Sequence, residues 1–178
     1  MSVNTILSSK ISDTGSEPVS VEQAKLHAAI DYTDYDSILP IYLSAARQSI
    51  EKATGQALVS KKVNLTVALY AGNVFKLPHS PVNSVNYIVQ TFPVQNVILE
   101  PNEQSNVGVN SDFVVIDLDG IYDIEYECSI SSVSADMKLA ILQMFAFIFN
   151  HRGEYMEGKL DYAVEAERII GQNTRFVI

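Results

Sequence analysis

Carboxylates at alternate positions are the first chemistry the sequence offers. Asp117, Asp119 and Asp123 around Gly120 gather the oxygen atoms that a hard cation such as calcium takes from a loop. The glycine is misplaced for a helix–loop–helix calcium site, and no glutamate follows at the bidentate offset, so the spacing favours an acidic hairpin. Asp123 and Glu125 are a carboxylate pair of the kind that flanks a glycosidic bond, but two residues apart on a strand they share one exposed face and form no cleft. His27, His79 and His151 are far apart in sequence, and a nucleophile pair with Cys128 requires only that the partners meet in space. Cys128 nevertheless alternates onto the apolar side of its strand with Tyr126, where a buried thiol is the ordinary outcome. No catalytic, cofactor-binding or metal-binding role is therefore assigned to any residue. A small soluble enzyme or binding domain with an unrecognised pocket stands as the alternative to a structural role.

Charge narrows the partners. The chain has 178 residues, 47% of them hydrophobic, and a net charge of −9. From Leu77 to Met137 there is no Lys or Arg, while Glu100, Glu103, Asp112, Asp117, Asp119, Asp123, Glu125 and Glu127 all fall there. Such a segment repels a phosphate backbone, and the tyrosines lack the basic neighbours that stacking on single strands needs. Specific nucleic-acid binding is not expected. The lone Cys128 allows neither an internal disulfide nor a CxxC site, which fits a reducing compartment. The first residues, Met1 to Lys10, lack a basic region followed by an apolar one and do not read as a signal peptide.

The element expected to organise the rest is a helix over 134–153. Ser134 suits its N-cap, Asp136 the positive end of its dipole and Gly153 a left-handed C-terminus. Between them the apolar residues leave no polar face, so protein should wrap this helix on most sides. Lys138, Gln143 and Asn150 interrupt it, and its apolar part is shorter than the roughly 20 residues of a membrane span. No membrane association is expected.

Residues 1–18 read as a flexible arm. A helical pair over 19–58 follows: Ser20 and Gln23 form a capping box for a helix to about Ile30, and Asp36 or Ser37 caps a longer one. Its stripe is Leu39, Tyr42, Leu43, Ala46, Ile50 and Ala53, and Gly55 closes it. Over 59–130 the period changes to two, and turn residues punctuate short apolar runs, which predicts an inserted antiparallel β meander. In it Phe113–Ile116 is expected to pair with Ile121–Cys128, whose Asp123, Glu125 and Glu127 form a one-sign acidic face. A short helix over Ala163–Ile170, ended by Gly171-Gln172-Asn173, leads to the tail Arg175, Phe176, Val177 and Ile178. The fold class is α+β, a single domain over 1–178: a helical body with two N-terminal helices, one long buried C-terminal helix and a short final helix, with the β region inserted.

Three segments stand in an order and spacing that resembles a known family. They are Glu17 to Lys25, the helix Ala45-Ala46-Arg47 leading through Ile50-Glu51-Lys52-Ala53-Thr54-Gly55-Gln56-Ala57-Leu58, and the turn Leu77-Pro78-His79-Ser80-Pro81-Val82-Asn83-Ser84-Val85. With the later Ala140-Ile141-Leu142 and Arg152, they are similar to tailed-bacteriophage head-tail connector (adaptor) proteins. The resemblance implies a non-enzymatic virion protein made in the bacterial host cytoplasm and located in the neck. It implies as partners copies of the chain in a ring, the portal protein and a tail-side neck or tail-completion protein, with DNA passing through the ring. On that reading Asp123, Glu125 and Glu127 look onto the channel or solvent, and Arg175, Phe176, Val177 and Ile178 contact a neighbouring subunit.

Overall fold

The computed structural model describes residues 4–92, 98–99, 112–115, 118–152 and 164–173. The chain, expected as one domain, divides into two compact units: residues 1–16 with 59–130, and residues 17–58 with 131–178.

The first unit is built on an antiparallel sheet. Its strands are β1 (Thr5–Asp13), β2 (Lys61–Leu69), β3 (Val74–Lys76), β4 (Val82–Phe92), β5 (Ile98–Leu99), β6 (Phe113–Val115) and β7 (Gly120–Cys128). Five of them form one sheet in the order β1-β2-β7-β4-β5, and β3 pairs with β6 in a second. The antiparallel pairing is as expected, but the order is not that of a meander. β6 pairs with β3 and not with β7, because β7 lies between β2 and β4 and both of its edges are taken. The register aligns the apolar faces: Val63 stands opposite Tyr126, Leu65 opposite Ile124 and Val67 opposite Tyr122, all buried, and Ile88 of β4 opposes Ile124 from the other side. Each such side chain contributes about 1.5–3 kcal/mol by leaving water. Burial pushes the Tyr126 phenol above its ordinary pKa, and its hydroxyl donates to the Pro78 carbonyl. Gly120 opens β7 against the end of β4, where a Cβ would sit 2.5 Å from the Gln90 amide nitrogen and 2.6 Å from the Phe92 carbonyl oxygen.

Residues 5–13, expected within a loosely held arm, are the edge strand β1. What holds them is main chain and not burial, for every residue of β1 is exposed. Asn4 accepts from the Tyr70 amide at 3.1 Å at one end, and the Thr14 amide donates to Ser60 at 2.8 Å at the other. Lys61, buried, pairs with Asp13 at 2.5 Å.

The second unit contains α1 (Val21–His27), α2 (Leu39–Thr54), α3 (Ala135–Asn150) and α4 (Val164–Asn173). The capping box of α1 is formed: the Gln23 amide donates to Ser20 Oγ at 3.2 Å, and the Ser20 amide to Gln23 Oε1 at 3.0 Å. α2 starts at Leu39 with Ile38 in the cap position and no side-chain cap, so neither Asp36 nor Ser37 serves there; Asp36 is instead held by Lys25. Gly55 ends α2 at φ 69°, a left-handed value that suits glycine. α3 begins at the expected Ser134 cap but ends at Asn150, with His151 as its C-cap. Gly153 lies outside the described residues. Nor is α3 wrapped evenly: Met137, Ala140, Ile141, Met144, Phe145 and Phe149 are buried, while Leu139 is exposed and Leu142 partly so. α4 runs through Gly171-Gln172-Asn173, the expected stop. One glycine costs a helix only about 1 kcal/mol, which the buried Ala166, Ile169 and Ile170 offset.

Inside this unit α2 carries a buried charge. Arg47, 1% exposed, donates to Glu51 at 2.6 Å and to both oxygens of Glu17, at 2.8 and 3.1 Å. Glu51 in turn accepts the Leu58 amide at 2.8 Å. Removing one member of a buried pair leaves the other charge without compensation and costs about 3–5 kcal/mol. We expect Arg47→Met to destabilise the helical unit by about that amount. Arg47→Lys should recover only part of it, because an ammonium lacks the fork that meets two carboxylates. Denaturant melts followed by helical circular dichroism check this, and unchanged midpoints would refute it.

Candidate assembly surfaces

The three acidic residues singled out on β7 lie side by side on its outer face, but their surroundings differ. Asp123 accepts from the Thr66 hydroxyl at 2.7 Å. Glu125 pairs with Lys62 at 2.8 Å and accepts from Asn86 at 3.0 Å. Glu127 is exposed and stands opposite Lys62 in the β2 register. The one-sign face expected from β7 alone is thus a mixed polar ladder, because β2 supplies a cation to its neighbour. Lys62 first, then Asn86, holds the Glu125 carboxyl below its ordinary value, and Glu125 raises Lys62 in return.

Asp119 accepts the Ala71 amide at 2.8 Å; Asp117 lies outside the described residues. His27 is on α1, His79 in the turn before β4 and His151 at the end of α3, against the Phe147 ring at 4.3 Å. Cys128 is buried at the end of β7, as its alternation implied. Arg175, Phe176, Val177 and Ile178 lie outside the described residues.

Two surfaces of the helical unit escaped the sequence reading. One is an apolar groove of about 380 Å³ lined by Val19, Gln23, Leu26, His27, Lys138 and Leu142. Leu26 is 84% exposed at its side, an apolar residue left uncovered on a short helix. The other is the loop from Asp31 to Ile38 with the first turn of α2. There Tyr32, Ile38 and Ile41 are exposed, Ile41 by 64%. The loop is braced from below: Tyr32 meets Tyr35 edge-on at 5.7 Å, Tyr35 meets Phe149 at 5.7 Å, and Arg152 lies 4.8 Å from the Tyr35 ring and 4.2 Å from that of Phe149. Lys25 clamps it through the Tyr32 carbonyl at 3.0 Å and Asp36 at 2.5 Å.

The segment that holds α1, α2, β2, β3 and β4 also carries a family signature. Residues 18–96 match the phage gp6-like head-tail connector protein family. It is the connector family that the sequence resembles. Solved structures agree in fold over nearly the whole chain. A chain in the neck of an empty gene transfer agent particle, computed with C6 symmetry, is 18% identical, with a TM-score of 0.68 over 95% of this chain and 97% of that one. A chain in the virion of the native particle is 19% identical, with a TM-score of 0.69 over 94% and 96%. A chain in the native neck computed with C12 symmetry is 19% identical, with a TM-score of 0.60 over 95% and 97%. No curated protein sequence matches the chain. The fold shared with these neck and virion chains therefore extends well beyond the matched segment, into α3 and α4.

The Lys62–Glu125 pair has a pH signature. Glu125 is depressed below 4.5, so its contribution is present above that pH and is lost as pH falls through its folded value. Lys62 is raised above 10.5, so its contribution is present below that pH and is lost as pH rises through its folded value. We expect Glu125→Gln to flatten the acid limb of the stability curve and to remove the alkaline loss associated with Lys62. Urea midpoints across pH check this, and a variant curve parallel to the parent's would refute it.

Proposed function

We propose that this chain is a structural head-tail connector: many copies form a ring in the neck of a phage-like particle, between the portal protein and a tail-side neck or tail-completion protein, and DNA passes through it. The observation that carries this reading is the coincidence of a connector-family match over 18–96 with a fold shared end to end with neck chains of a particle. The C6 and C12 symmetries of those necks support a ring, which head-to-tail contacts close when the rotation permits. The chain acts by shape and contact and not as an enzyme; the groove on α1 and α3 is lined almost wholly by apolar atoms, unlike a site of proton-transfer chemistry.

Within the ring, Asp123, Glu125 and Glu127 look onto the DNA channel or solvent and not onto the portal, where negative charge keeps phosphates from sticking. Arg175, Phe176, Val177 and Ile178 reach a neighbouring subunit. Since Asp123 and Glu125 are engaged within the sheet, Glu127 is the charge most available to passing DNA. We expect negative-stain images of the concentrated protein, alone or with portal, to show rings; monomers under both conditions would sink the reading. Glu127→Lys should slow DNA ejection from assembled particles without lowering their yield, and unchanged ejection would remove the channel role.

A further inference from the structure

Among the described residues, the two apolar surfaces of the helical unit carry unpaired charges of opposite sign. At the rim of the groove stands Lys138, exposed and with no ion partner among the described residues. Beside the projecting Tyr32, Ile38 and Ile41 stand Asp31 and Asp34, also exposed and also without an ion partner among the described residues. Among the described residues, then, the groove carries an unpaired cation at its rim, and the loop carries unpaired carboxylates beside its exposed apolar side chains. On α3 they use different ends: the groove takes Lys138 and Leu142, whereas the loop is braced against Phe149 and, just past the helix, Arg152, and the eleven steps from Lys138 to Phe149 rise about 16 Å.

Resting on the ring reading above, we propose that these two surfaces are the two halves of one contact between copies: the 31–41 loop of one subunit seats Ile41 and Ile38 in the α1–α3 groove of the next, with Asp31 and Asp34 meeting Lys138. Different surfaces on the two partners make the contact heterologous, the kind that builds a ring and leaves each copy with one donor and one acceptor side. The chain's own charges select a second copy as occupant: a cationic groove rim calls for an apolar segment flanked by carboxylates, and the same chain presents one. The aromatic brace and the Lys25 clamp hold the loop in place before it docks, which spares the cost of ordering it on binding. Exposed Ile41 and Leu26 are then uncovered only in the isolated subunit.

The test is charge reversal and its rescue in the full chain. Like charges set against each other across an interface oppose association. Lys138→Glu, and separately Asp31→Lys with Asp34→Lys, should each weaken self-association about tenfold or more in sedimentation velocity. All three changes in one chain restore opposite signs across the contact and should bring association back to within about threefold of the parent. All the altered side chains are exposed, so each variant should melt as the parent does. Parent protein that associates while the reversed variants associate equally well overturns this contact and leaves the ring standing. Weakened variants without rescue overturn the pairing of these two surfaces. Parent protein that stays monomeric at every concentration and with portal overturns the ring reading and this contact with it.

Discussion

A single buried cation organises the helical unit. Arg47 stands inside α2 between Glu17 and Glu51, and Glu51 holds the amide of Leu58. Glu17 is where the chain enters this unit and Leu58 is where it leaves. Both ends of the 17–58 segment are therefore tied to one helix through two side chains one turn apart. A hydrophobic pair at those positions would pack as well but would not specify which residues lie at the entry and exit. The guanidinium supplies that specificity because its planar fork satisfies two carboxylates in fixed directions.

The sheet unit is secured differently. Its centre is β7, paired on both sides, with its buried face matched residue for residue to β2 and its outer face cross-linked by Lys62, Thr66 and Asn86. Its edge is less protected. β1 exposes Ile6, Leu7 and Ile11 along nine residues, and a bulge between Ile6 and Ser8 and the charges of Lys10 and Asp13 guard it against indiscriminate pairing. Such uncovered surface is what the proposed ring contacts would use, and the helical unit leaves more of it at Leu26 and Ile41.

Signals that depend on a few consecutive residues were legible in the sequence. The Ser20–Gln23 box, the Ser134 cap, the Gly55 stop and the alternation of β2 and β7 are short-range, and each is found where its residues put it. The connector likeness was legible for the same reason, since three of the segments that carry it are local elements within 17–85. What the tertiary structure decided is pairing. Nothing in β6 or β7 names its partner, so only the fold reveals that β6 joins β3, or that Lys62 lies across from Glu127 and turns an acidic strand into a ladder. The helix α4 passes its glycine because buried side chains one turn earlier outweigh a weak local preference. The residues 5–13 form a strand because β2 offers them an edge, although few of their own side chains ask for burial. The groove and the loop that faces outward were invisible in the sequence because an exposed leucine and a buried one read alike until the chain has folded around one of them.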